Sequence, residues 1–168
     1  NKLEEIYNIR VHQKDSKSAV IIESLDRSLE TATITKKTKK LQSNSLACCP
    51  NLKSIIFNTT FEKLPNSCCT DNPKVTSING HGSTNFGDYC FSDCPNLADV
   101  GSLEATKYIG VGAFMRTGLT TVKLGDDAVI CASAFRECTK LETLETLFGS
   151  KTDYIGILSE EVIRQMRE

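Results

Sequence analysis

The chain repeats itself at an interval of about 22 residues, and this period restricts it to an architecture of stacked coils. Three stretches align directly: FGDYCFSDCPNLADV from Phe86, YIGVGAFMRTGLTTVKL from Tyr108 and VICASAFRECTKLETL from Val129. LQSNSLACCPNLKSIIF from Leu41 and LPNSCCTDNPKVTSI from Leu64 follow in the same register. A first apolar slot holds Leu41, Leu64, Phe86, Ile109 and Ile130. A second holds Leu46, Cys69, Phe91, Phe114 and Phe135. A third holds Leu52, Val75, Leu97, Leu119 and Leu141, at spacings of 23, 22, 22 and 22. Ile55, Ile78, Val100, Val122 and Leu144 complete the pattern.

Each copy contains one strand-like piece, L-x-x-V, rich in β-branched residues and Thr. A single such strand cannot bury its apolar face alone. Stacking places like residue on like residue at the ~4.8 Å spacing of a sheet, and parallel strands then need a return segment. The I-x-x-x-x-F stretch is that return. Leu29-Glu-Thr-Ala-Thr-Ile34 fits the strand of a further copy, with Leu29 and Ala32 in its slots, and Leu3-Glu-Glu-Ile-Tyr-Asn8 fits another. The expectation is a single repeat domain over 1–168, about seven strands in all. It divides into divergent repeats over 1–40, well-formed repeats over 41–147 and a terminal cap over 148–168. Because the chain starts within a copy, it reads as a slice of a longer array. Ser159 fits an N-cap, Glu160 and Glu161 suit a first helical turn, and Val162, Ile163 and Met166 share one helical face. A short C-terminal helix is therefore expected to cover the last coil.

The motif I-G-x-x-A-F-x-x-C-x-x-L-x-x-V, nearly intact as IGVGAFMRTGLTTV from Ile109, resembles the BspA-like, or Treponema-type, leucine-rich repeats. The resemblance covers about 41–147 well and 1–40 loosely. It implies an α/β solenoid with a concave parallel sheet, and turns or short helical pieces on the outside. It also implies a non-catalytic adhesion or protein-recognition module at a cell surface or in a secreted protein. Cys69 in the aromatic slot, and Gly80 and Ser102 late in the strand, depart from the pattern.

Eight cysteines in 168 residues suggest disulfides or zinc, but the register opposes both. Cys49, Cys94 and Cys138 share an inward column with Asn72 and Thr117, in alternate coils too far apart to bridge. All three residue types can bond to backbone where a chain turns. Cys68 and Cys90 share a small-residue slot with Ser45, Ala113 and Ala134 on adjacent coils, where a strained bridge or two buried thiols would fit. Cys48, in an otherwise polar column, and Cys131, in a column of glycines, are the expected exposed thiols. No zinc spacing, nucleotide-binding loop or HExxH is present, and His81 with Ser83 lacks the third member of a triad. No enzyme activity, metal or cofactor is expected.

The outward strand positions form two columns. One is Thr31, Ser54, Ser77, Asp99, Thr121 and Thr143; the other is Thr33, Ile56, Asn79, Gly101, Lys123 and Glu145. Hydroxyl and amide groups dominate, with charge gathered toward the C-terminal half. From these columns Ser54, Ile56, Ser77, Asn79, Asp99, Thr121, Lys123, Thr143 and Glu145 are the candidate binding residues. Such a face suits polar contact with another protein, of a host or a matrix, or with a glycan. Nucleic acid is disfavoured, because the net charge is -1 and no aromatic ladder runs along the face. No apolar run is long enough to insert in a membrane. Asn58-Thr59-Thr60 is a glycosylation sequon at the edge of this face, relevant only to a eukaryotic secretory protein. The location expected is the cell surface or secretion, with a cytoplasmic one as the alternative. An intracellular scaffold, or the ligand-sensing part of a receptor, is the alternative function. Lys36, Lys37, Lys39 and Lys40 make a local basic run that reads as a solvated loop.

Overall fold

The computed structural model describes residues 9–12, 20–25, 28–125 and 128–146. The proposed first strand around Leu3 and the C-terminal helix lie outside these residues. Twelve strands are present among them: β1 (Ile9–His12), β2 (Val20–Leu25), β3 (Thr31–Ile34), β4 (Thr38–Leu41), β5 (Ser54–Phe57), β6 (Lys63–Leu64), β7 (Ser77–Asn79), β8 (Asn85–Phe86), β9 (Tyr108–Ile109), β10 (Thr121–Leu124), β11 (Val129–Ile130) and β12 (Thr143–Thr146).

The chain winds as a parallel β-solenoid. Longer strands stack on one side as β3-β5-β7 and β10-β12, and two-residue strands stack on another as β6-β8-β9-β11. The register follows the columns read from the sequence: Thr31 lies opposite Ser54 and Ser54 opposite Ser77, an isolated bridge joins Ser77 to Asp99, and Thr121 lies opposite Thr143. At the N-terminal side β2 pairs in parallel with β4, but β1 runs antiparallel to β2. The stack thus departs there from the uniform parallel pairing that the sequence pattern suggests.

The expected outer pieces take a different form. Among the described residues there is no helix. The return segment is a turn with two left-handed residues four apart. The pairs are Asn44 and Cys48, Ser67 and Asp71, Tyr89 and Asp93, Gly112 and Arg116, and Ser133 and Glu137, with φ between 55° and 62°. Five such pairs define five turns of the solenoid. Left-handed backbone costs a non-glycine residue ~1–2 kcal/mol, so something must hold it in place. The turn supplies a third hydrogen-bond ladder between coils. Cys48, Asp71, Asp93 and Arg116 donate their N–H to Thr70, Ser92, Met115 and Arg136 carbonyls at 2.9–3.0 Å. Between the two left-handed residues, Leu46, Cys69, Phe91 and Phe114 donate to the next coil at 2.7–2.9 Å. A helix would point those donors along its own axis and forfeit the inter-coil bonds.

The core is one continuous column. Phe86, Phe91, Phe114 and Phe135 are fully buried, and the Phe114 ring stacks between Phe91 (5.1 Å) and Phe135 (5.3 Å). The Cys/Asn/Thr column lines the inside of the turn, where its side chains cap carbonyls. Asn72 Nδ2 donates to Leu46 and Cys69 carbonyls, both at 2.9 Å, while its Oδ1 accepts Cys49 N–H at 2.8 Å. Cys94 Sγ donates to Cys69 O at 3.2 Å, and Thr117 Oγ1 and Cys138 Sγ both donate to Phe114 O at 3.0 and 2.9 Å. Burial pushes the Cys94 thiol up to about 12 and raises Cys138 also, which keeps both protonated as donors. Six thiols are buried and only Cys48 and Cys131 are partly accessible; Cys68 and Cys90 are thiols, with no bridge between them.

Candidate functional site

Strand alternation builds the candidate face. Ala32, Ile55, Ile78, Val100, Val122 and Leu144 point inward and are buried. Their neighbours therefore point out: Asp99, Thr121, Lys123, Glu145 and Ile56 are exposed, and Ser54, Ser77, Asn79 and Thr143 are half-buried. The structure places all nine candidate residues on one side, in two columns. Asn58 is exposed just beyond the end of β5.

The two columns do not run over an unbroken sheet. Between β7 and β10 the coil passes through Asp99–Gly101 with only the Asp99 bridge, and no strand pairing joins it to β10. Three local causes coincide. Asp99 Oδ1 accepts the Gly101 N–H at 2.9 Å, where a ladder partner would otherwise stand, and its Oδ2 accepts the side-chain Asn79 Nδ2 at 3.1 Å. Gly101 has a φ of 75°, a left-handed kink that ends the strand. Val100 O, which a continuing ladder would offer to β10, instead accepts from the buried His81 Nε2 at 2.7 Å.

The connection into β10 is also shorter. Six residues separate Cys48 from Ser54, Asp71 from Ser77, Asp93 from Asp99 and Glu137 from Thr143, but only five separate Arg116 from Thr121. The missing residue falls where Pro50, Pro73 and Pro95 stand in other copies. Thr143 N–H bonds Thr120 O at 3.2 Å, so β12 takes the groups at 120 and 122 and leaves those of Thr121 and Lys123 directed at the broken coil. A cleft of about 250 Å³ opens there, walled by Asp99, Val100, Leu103, Leu119, Thr121 and Lys123.

His81, read from sequence as part of a turn, is a core residue only 3% exposed. Gly80, with a φ of 86°, stands where Ile34, Phe57 and Leu124 stand in other coils, and a side chain there would meet Phe57 O at 2.2 Å. The next residue fills the space: His81 sits edge-on to Phe57 and Phe86. Its Nδ1 accepts Ser83 N–H at 3.0 Å, so both ring nitrogens are committed to backbone. Ser83 Oγ donates to Phe61 O. The imidazole is thus not placed to activate the Ser83 hydroxyl.

The turn side carries a charge ladder that the sequence columns contained but did not explain. Arg116 bonds Asp93 and, at 2.8 Å, Glu137, bridging three successive left-handed positions; these two carboxylates raise its pKa. The signal was the recurrence of charged residues at Asp71, Asp93, Arg116 and Glu137, in the column that Cys48 begins. Among the described residues no group of three or more His, Cys, Asp or Glu is placed to hold a metal, and no helix is long and apolar enough to cross a membrane.

A solenoid of parallel coils with a polar, side-chain-lined sheet defines a repeat protein of the leucine-rich class. The chain belongs to the BspA-type leucine-rich repeat family, whose model matches six copies over residues 24–145. No curated protein is matched by the sequence. The fold is similar to the crystal structure of a leucine-rich cell surface protein from Faecalibacterium prausnitzii, at 19% identity and a TM-score of 0.52, over 84% of this chain. This chain spans 55% of the length of that one.

Proposed function

We propose that the chain is a non-catalytic protein-recognition or adhesion module of a surface or secreted protein, which binds its partner on the long-strand face. The reading treats 1–168 as one repeat domain. The observation that carries it is the pair of outward columns, held in register across the coils above a fully buried inward column. A polar surface whose columns keep their spacing within each strand stack suits recognition by shape and hydrogen bonding. The break beside β10 adds relief to that surface, with Asp99 and Lys123 at its edges. Membership of the family supports protein binding, and the F. prausnitzii relative, itself a cell surface protein, supports the location. In a eukaryotic secretory protein, a glycan on Asn58 would border the face.

Purified matrix and host-surface proteins, each immobilised and probed with the chain, test the reading. Lys123→Glu should weaken a true partner roughly tenfold, while Arg136→Glu on the turn side leaves it unchanged. Unchanged affinity for Lys123→Glu together with loss for Arg136→Glu would sink it. An intracellular scaffold, or the sensing part of a receptor, is the second reading, since reduced thiols are compatible with a reducing compartment. The sequence encoded upstream of residue 1 separates the two: an export signal supports the first.

A further inference from the structure

The short-strand side is also interrupted. Leu41 and Leu64 are both buried in the first apolar slot, yet β4 belongs to the β1-β2-β4 sheet and β6 to the β6-β8-β9-β11 sheet. A cleft of about 470 Å³ lies at this junction, within the ~300–1,000 Å³ of small-ligand sites. Lys39, Lys40 and Lys63 line it, together with Ser43, Asn66 and Phe61.

The charge here is one-sided. Among the described residues the ion pairs are Lys53–Glu30 and those of Arg116, so none of the three lysines has an acidic partner. No acidic side chain is in the described wall. Three exposed lysines without an acidic partner thus border one concavity of a molecule whose net charge is only -1. Asn66 Oδ1 accepts Asp88 N–H at 2.8 Å, which leaves its Nδ2 as a donor. Ser43 offers a hydroxyl, and the half-buried Phe61 offers the one aromatic surface.

We infer that this cleft binds a sulfated glycan, separately from the protein partner of the long-strand face. Ammonium groups neutralise sulfate esters as point charges without the planar match that arginine imposes. Ser43 and Asn66 suit the hydroxyls between the esters, and Phe61 suits the apolar face of a pyranose ring. An anionic membrane surface needs projecting charges on a flat patch, whereas these line a concavity.

The test titrates the chain with a size-defined heparin hexasaccharide, its desulfated form, inorganic sulfate, a polyglutamate peptide and phosphatidylserine vesicles. The sulfated hexasaccharide should bind, more weakly at high salt, and the other four should bind at least roughly tenfold less. The triple variant K39Q/K40Q/K63Q should lose roughly tenfold or more, while K36Q/K37Q/K74Q, which removes as many charges outside the cleft, loses far less. Unchanged melting of both variants confirms that the fold is intact. Equal loss in the two variants would reduce the effect to diffuse charge and overturn the site. Equal binding of polyglutamate or vesicles, or no binding of the hexasaccharide, would also overturn it. Lys123→Glu should leave the glycan affinity unchanged, so failure here is distinct from failure of the protein-binding reading.

Discussion

At the scale of single residues, His81 and Phe114 show how the stack depends on side chains that occupy one slot each. Burial lowers the His81 pKa from its ordinary 6.5, against the opposing pull of the Val100 carbonyl. The unfolded chain therefore takes up a proton near 6.5 that the folded chain refuses until lower pH. Stability is insensitive to this group above that value and falls as pH drops below it, by at most about 1.4 kcal/mol per pH unit. Denaturant midpoints measured from pH 7 to 5 should show this slope, and His81→Leu should flatten it; an identical slope in the variant would remove His81 as the cause. Phe114→Ala should cost roughly 3–5 kcal/mol, because the ring is sandwiched between two others and its loss leaves a cavity in a stacked column. Equal unfolding midpoints for variant and parent would contradict the packing. The Phe114 slot was legible from its recurrence every 22 or so residues. The burial of His81 was not, since it depends on Gly80 leaving a space that only the three-dimensional stack defines.

At the scale of elements, the long strands were readable and the turn was not. Alternation of Ile55 and Ile78 with Ser54 and Ser77 assigns the two faces without ambiguity, and the register confirmed it. The left-handed pairs escaped because their residents, though mostly polar, range from Asn44 and Tyr89 to Arg116 and Glu137 and do not mark a left-handed backbone; the conformation is enforced by inter-coil backbone bonds. The candidate face was legible as a list of positions. The cleft in its middle was not, because it arises from a kink at Gly101 and a carbonyl drawn inward by His81. That break has its own signature. The amides of Thr121 and Lys123 should exchange with deuterium at least roughly tenfold faster than those of Ser77 and Asn79, which hold the same columns but face the paired β5. Equal protection would mean that the ladder closes in solution.

At the scale of the molecule, each coil touches only its neighbours, so opening is a matter of interfaces and not of one global core. The thiols report this directly. A thiol reagent applied to the native chain should modify Cys48 and Cys131 first, with the six buried thiols reacting only as coils separate under denaturant; prompt modification of all eight would contradict the burial pattern. The intervals between landmarks also differ in how freely they vary. The step from a long strand to the next turn is 12 or 13 residues and the step from turn to strand is 5 or 6, but the two left-handed residues are four apart in every coil. In terms of the gene, this interval acts as a fixed reading mark. A whole coil duplicated or removed by an unequal exchange keeps every mark in phase. A codon gained or lost in the connecting loops shifts only one strand, as the step into β10 illustrates. A codon gained or lost between Phe114 and Arg116 would dephase two ladders at once, so length variation in such a gene is expected to collect in its loops and in multiples of its repeat.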